Sequence, residues 1–124
     1  MILLDSSGLI HAFSRKIDIV TWFNFLFGYS YNICLTKPIL EELKKLSTMN
    51  TGKIRLLASL SLQLCEKYMI LDTEAKVGDD SLVEAALTYG GVVFTCDSGL
   101  RRRLAKHGVP TLIITHDNRL IFGS

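Results

Sequence analysis

VVFTCDSGLRRRL, residues 92–104, runs from an apolar stretch into a carboxylate at Asp97 and then into the consecutive arginines Arg101, Arg102 and Arg103. Val92, Val93 and Phe94 are strand formers without polar alternation, the pattern of a strand covered on both faces. From Ser98 onward, Leu100 and Leu104 stand one helical turn apart, which predicts a helix over 98–107 with both leucines turned to a core. The segment therefore reads as strand, acid, helix, with the acid at the carboxyl end of the strand.

The same rhythm extends outward along the chain. MILLD at 1–5, YNICLT at 31–36, YMILD at 68–72 and PTLIIT at 110–115 are further short apolar runs. Between them, amphipathic stretches predict a helical segment to about residue 28, two helices over 37–67 and a helix over 80–89. Apolar strands alternating with helices predict an α/β fold, a three-layer α/β/α sandwich with a mainly parallel central sheet. The ending HDNRLIFGS predicts a turn at Asp117-Asn118 and a short antiparallel edge strand. Polar loops fall at 47–53 and 72–79, and no repeat or linker interrupts the pattern. With 124 residues, 48% of them hydrophobic, residues 1–124 read as a single domain able to bury its own core.

The formal net charge is only +2, so composition permits an anionic partner and leaves the decision to where the basic residues lie. Cys34, Cys65 and Cys96 are an odd, widely spaced set in apolar surroundings without a CxxC pair, as expected of reduced core residues. The opening MILLD lacks a signal-peptide pattern, and the most apolar later stretch, residues 17–28, is interrupted by Asp18 and Asn24 and too short to span a bilayer. The expectation is a soluble, cytoplasmic protein without a membrane partner. Trp22, Phe23, Phe25 and Phe27 cover more than one helical face, which suits core packing or a homodimer interface.

Three strands end in an acid: Asp5, Asp72 and Asp97. Asp80 opens the helix DDSLVEAALTYG beside Asp79, and Glu42 lies inside the helix KPILEELKKL. Each Asp alone is explained by helix capping or by the helix dipole, and Glu42 alone by a solvated face. Their joint pattern says more, because ligands of open α/β sheets bind outside the carboxyl ends of the strands.

That pattern resembles the PIN domain, a metal-dependent nuclease fold shared by toxin ribonucleases and rRNA-processing nucleases. LLDSSGLI resembles the family's first strand and its D-T/S-x-x-L/I start, placing the first catalytic acid at Asp5. PILEELKKL resembles the family's acid-bearing helix and favours Glu42 over Glu41. GDDSLVEAAL resembles the D-x-x-I/L helix start, with Asp80 as the acid and Asp79 as its supporting neighbour. VVFTCDSGLRRRL resembles the strand ending T-N-D or T-x-D, giving Thr95 and Asp97, with Cys96 where Asn often stands. Some relatives carry a further acid after that strand, where this chain has Ser98 and Gly99, so a second metal would be weakly held.

The resemblance implies a metal-dependent endoribonuclease acting on single-stranded or structured RNA, leaving a 3′-hydroxyl and a 5′-phosphate. Clustered carboxylates suit Mg²⁺ or Mn²⁺, as one ion or two, because hydrolysis adds negative charge to an already anionic phosphate. Asp5, Asp80 and Asp97 are the expected metal ligands, and Glu42 the acid that holds or activates a water. Ser7 and Thr95 are the expected hydroxyl donors to these acids. Arg102, Arg103 and Lys106, on the outer faces of the last helix, are the expected RNA-binding cations.

Within the family, GVPTLIITHDNRLIFG resembles the tail of small archaeal PIN proteins akin to rRNA-processing nucleases. A VapC-type toxin, which would bring an antitoxin partner, is the alternative. Outside it, a receiver domain would use Asp72 as phosphoacceptor, but it needs an acidic pair after the first strand and a Lys after the last. Here those places hold Asp5-Ser6 and Thr115-His116. A PIN-like scaffold that binds RNA without cutting it is disfavoured by the intact acids. His11, His107 and His116 lack zinc-ligand spacing, and Ser6 and Ser7 lack a hydrolase nucleophile elbow.

Overall fold

The computed structural model describes residues 1–49 and 52–123, so two positions of the predicted 47–53 loop, Asn50 and Thr51, and the final Ser124 lie outside the description. At its centre two strands run parallel, β1 (Ile2–Leu4) and β4 (Val92–Phe94). Ile2 pairs with Val92, Leu3 with Val93 and Leu4 with Phe94, and all six are buried. Gly91 makes this pairing possible. Its φ of 103° is one that L side chains avoid, and a Cβ there would lie 2.3 Å from the Met1 carbonyl oxygen.

On the far side of β1 lie β2 (Ile33–Thr36) and then β3 (Met69–Leu71), both parallel. On the far side of β4 come β5 (Thr111–Ile114), parallel, and β6 (Leu120–Gly123), antiparallel. The six-stranded order is β3-β2-β1-β4-β5-β6, so strand order reverses between β1 and β4. That boundary is where an open α/β sheet forms its ligand crevice.

The connecting helices are α1 (Ser6–Ser14), α2 (Ile19–Phe27), α3 (Lys37–Ser47), α4 (Gly52–Cys65), α5 (Gly78–Tyr89) and α6 (Ser98–Lys106). Right-handed crossovers that run one way from β1 and the other way from β4 put helices on both faces of the sheet. Accordingly α1, α3 and α4 pack on one another, while α5 packs against α6, β2 and β4 and meets α3 across the end of β2. The core joins Leu9, Phe23, Ile39 and Leu43 of the helices to the central strands, and Leu100 and Leu104 face it as predicted.

Several expectations are refined. The predicted helical segment to residue 28 is two helices, broken where Lys16 adopts φ 57° and where Asp18 caps α2 through the Thr21 N–H. α5 starts at Gly78 rather than near 80, which brings Asp79 inside its first turn. β3 is not covered on both faces, because it is an edge strand whose Met69 is 65% exposed. The weakly patterned β6 does form, after a turn in which Asn118 takes φ 64°. Phe23 is core whereas Phe25 is 78% exposed, so the aromatic run of α2 divides between packing and surface. Cys34, Cys65 and Cys96 are free thiols, the first two buried as expected, whereas Cys96 is exposed because it lies in the turn after β4 and not in the core. No helix among the described residues is long and apolar enough to cross a membrane.

Candidate active site

Because Leu4 pairs with Phe94, the residues that follow them, Asp5 and Thr95, leave the sheet side by side. The Asp5 N–H extends the ladder by donating to the Phe94 carbonyl at 3.0 Å. Asp5 occupies the N-cap position of α1, yet its side chain makes no capping bond. Its Oδ2 instead accepts the Ser7 hydroxyl at 2.5 Å and the Thr95 hydroxyl at 2.7 Å. Capping therefore does not explain this acid.

Asp5 is only 3% exposed. Burial raises its pKa, the two hydroxyls oppose that rise, and the negative charge of Glu42 adds to it. Both hydroxyls are themselves anchored. Ser7 Oγ accepts the Cys96 N–H at 3.1 Å, and Thr95 Oγ1 accepts the Asp97 N–H at 3.0 Å. The turn that carries Asp97 is thereby fixed to the turn that carries Asp5.

Asp97 caps α6, its Oδ1 accepting the N–H groups of Gly99 at 2.8 Å and Leu100 at 3.1 Å. Both bonds fall on one oxygen, and the side chain is exposed at the crevice. Glu42 approaches from α3, where its Oε1 accepts a short hydrogen bond from the Ser6 hydroxyl. Its Oε2 lies so near the start of α5 that a Cβ on Gly78 would stand 2.8 Å from it.

A linkage not visible in the sequence motifs holds α3 and α5 together. The buried Thr36 hydroxyl bonds Ser81 Oγ at 2.7 Å and accepts the Ile39 N–H at 3.4 Å, capping α3. Ser81 Oγ also donates to the Gly78 carbonyl at 2.6 Å. The first turns of the Glu42 helix and of the Asp79 helix are thus tied through β2. Ser81 directly follows the predicted acid, Asp80, and only the tertiary pairing reveals its use.

The two α5 acids occupy surroundings opposite to those expected. Asp80 turns outward, with its side chain 52% exposed, and forms an ion pair with Arg103 at 2.9 Å. Asp79 is half-buried, and its pKa is raised first by burial and then by the charges of Asp5 and Asp97. The signal was available in helical phase. Asp79 precedes the buried Leu82, Val83 and Ala86 by three, four and seven positions, so it shares their inward face.

The crevice therefore gathers Asp5, Glu42, Asp79 and Asp97, while Asp80 stands outside it. Among the described residues, no three His, Cys, Asp or Glu side chains are drawn together closely enough to chelate a metal outright. Of the predicted RNA-binding cations, Arg102 and Lys106 are exposed and Arg103 is engaged by Asp80. Asp72 lies apart, in a surface hollow beside Lys37 and Lys76 at the β3 edge.

Sequence comparison agrees with this architecture. The chain matches the PIN like domain over residues 2–117 and belongs to that family. It is 32% identical to Ribonuclease VapC9 of Archaeoglobus fulgidus over 117 residues, covering 94% of this chain and 84% of the relative. It is 27% identical to Ribonuclease VapC4 of Methanocaldococcus jannaschii over 113 residues, covering 89% and 86%. In three dimensions it resembles the PIN domain endonuclease Utp24 with a TM-score of 0.77 at 21% identity, over 96% of this chain and 89% of the other.

Proposed function

We propose that the chain is an endoribonuclease dependent on Mg²⁺ or Mn²⁺, with its centre in the crevice between β1 and β4. The supporting observation is Asp5, a buried carboxylate at the strand-order reversal whose side chain makes no capping bond and whose hydrogen-bond partners are neutral groups. Glu42, Asp79 and Asp97 add further negative charge within electrostatic reach of it or of one another. Among the described residues the two ion pairs are Arg103–Asp80 and Arg119–Asp117, so none of these four acids is in an ion pair, and Arg103 offsets the raised pKa of Asp79 only in part.

A hard divalent ion fits this donor set, which is all oxygen and short of positive charge. Asp5, Asp79 and Asp97 would hold it, with Asp80 displaced from that role by its pairing to Arg103. When bound, the ion supplies a water of lowered pKa and offsets the charge that develops on the phosphate. Asp5 is oriented by Ser7 and Thr95, which fix Oδ2 and so the direction of the carboxylate. Glu42, steadied at Oε1 by Ser6, presents Oε2 to hold a water and accept its proton. The names of the two archaeal relatives support RNA as the substrate.

Those relatives also favour a second reading of the biological role. A VapC-type toxin with an antitoxin partner is supported by identity over nearly the whole chain, whereas the likeness to Utp24 is one of fold. Processing of rRNA rests on the resemblance of the C-terminal tail alone. Induction of the gene in a host with and without a small upstream neighbouring gene separates them: growth arrest relieved by that neighbour identifies a toxin.

The activity itself is tested by cleavage of end-labelled single-stranded RNA by purified protein in Mn²⁺ or Mg²⁺, beside EDTA and Asp97→Asn controls. Cleavage abolished by both controls is expected. Equal cleavage by the variant, or none by the wild type, would sink the proposal.

A further inference from the structure

A pocket of about 190 Å³ adjoins the acids, with Thr95 and Asp97 in its wall. The rest of that wall includes Arg15, Arg101, His11 and His116. Arg15 is held in place from the C-terminal end of α1, its Nη1 donating to the Thr115 carbonyl at 3.1 Å and to Asn118 Oδ1 at 3.0 Å. Both acceptors are neutral. Arg101 lays its stem along β6, where its Cδ would stand 3.2 Å from a Cβ on Gly123. Neither guanidinium is among the ion pairs of the described residues, which engage Arg103 and Arg119 instead.

The opposing charge in the pocket is small. Asp97 is the one carboxylate in the wall, and its Oδ1 already accepts two backbone N–H groups. Asp117, next to His116, is engaged by Arg119 and by the Thr115 hydroxyl. Burial, reinforced by Arg15, pushes the pKa of His11 down, so near neutral pH it enters as an uncharged hydrogen-bonding group. Two permanent cations outside the ion pairs of the described residues, one of them anchored by neutral acceptors, make this an anion site, and guanidinium forks suit phosphate oxygens.

We propose that this pocket is a subsite for the RNA phosphodiester adjacent to the one being cleaved, gripped by Arg15 and Arg101. The proposal rests on the nuclease reading above. Thr95 and Asp97 belong to both the pocket and the crevice, so a strand lying across the acids brings its neighbouring phosphate to this wall. Phosphate contacts of this kind fix register and carry no base specificity. They also divide the labour among the arginines differently from the sequence expectation: Arg101 and the distant Arg15 grip the strand, while Arg103 restrains Asp80.

The test uses full-length protein and a fluorescent single-stranded RNA without a terminal phosphate. Binding is followed by anisotropy in EDTA over a range of salt. Arg15→Gln and Arg101→Gln are compared singly and together with Lys67→Gln, an equal change of charge beside β3. Each lost phosphate contact is expected to reduce the slope of log K against log salt by about 0.7, and Lys67→Gln to leave it unchanged. Arg101→Gln carries the test if loss of the Arg15 anchor lowers Tm.

A second arm places one neutral methylphosphonate at successive linkages. The expected weakening occurs at the linkage next to the cleaved one in wild type and vanishes in the double variant. An unchanged salt slope in the double variant would overturn the subsite whatever the activity. Dependence on a 5′-phosphate alone would assign the pocket to a strand end and overturn the internal subsite. Absence of cleavage by wild-type protein would instead overturn the nuclease reading on which the register depends.

Discussion

Asp5 has exchanged hydration for two hydroxyl hydrogen bonds, and the exchange is incomplete, since burial raises its pKa despite them. In the unfolded chain the same group titrates near the ordinary Asp value of about 3.9. Between that value and the raised folded one, the native state binds more protons than the unfolded state. Stability therefore falls as pH rises through this window and stays lower above it. Asp79 is shifted in the same direction and adds to the slope. Asn at position 5 keeps an oxygen for Ser7 and Thr95 and removes the charge. In metal-free buffer, Asp5→Asn should therefore raise Tm at pH 7, with the gain fading as pH drops below the carboxylate range. Scanning fluorimetry would decide it, and a lower Tm for the variant at pH 7 would contradict the account. Added Mn²⁺ should raise the Tm of wild type and not that of Asp5→Asn, because only a ligand that binds the native state stabilises it. Cleavage should drop by about 100-fold or more in the variant, as expected on losing a group that stabilises the transition state electrostatically.

At the scale of one element, α5 shows how one motif can offer two registers. Both Asp79 and Asp80 satisfy a helix-start pattern and both complement the helix dipole, so local chemistry does not separate them. Phase does. Seven residues beyond Asp79 lies the buried Ala86, and seven beyond Asp80 lies Leu87, which is 55% exposed. Asp79→Asn is thus expected to reduce kcat by about 100-fold, and Asp80→Asn by less than about threefold, in single-turnover cleavage. The reverse ranking would return Asp80 to the metal site. The start of α5 also sets the place of Glu42. Gly78→Ala puts a methyl 2.8 Å from Glu42 Oε2 and 3.0 Å from Ile39 Cδ1, so the carboxylate must move. Cleavage should fall by about tenfold, with RNA affinity in EDTA unchanged, because the displaced group handles a water and not the strand. The Ser81 hydroxyl that ties this turn to Thr36 left no trace in the sequence pattern, since a Ser in a helix is ordinary until its partner across the sheet is known.

The whole molecule supplies what neither residue nor element contains, namely the order of the strands. Apolar runs and helical phase were enough to read the layers, the parallel strands and even the final edge strand from the chain. Asp5 and Asp97 were legible for the same reason, each standing where a recognisable strand stops. Arg15 was not, because it reaches the crevice only through bonds to a turn 100 residues away in sequence. The most instructive residue is Asp72, which ends YMILD just as Asp5 ends MILLD and Asp97 ends VVFTCD. Local sequence ranks the three alike. The observed order puts β1 and β4 at the reversal and leaves β3 at the edge, separated from β4 by β2 and β1, with Asp72 among Lys37 and Lys76. If position in the sheet decides function, Asp72→Asn should leave metal-dependent cleavage within about twofold of wild type, as is usual for surface substitutions away from a site. Asp97→Asn, the same chemical change at the reversal, should abolish it. The pair isolates topology from local motif, and a comparable loss in both variants would mean that the crevice between β1 and β4 is not where the chemistry occurs.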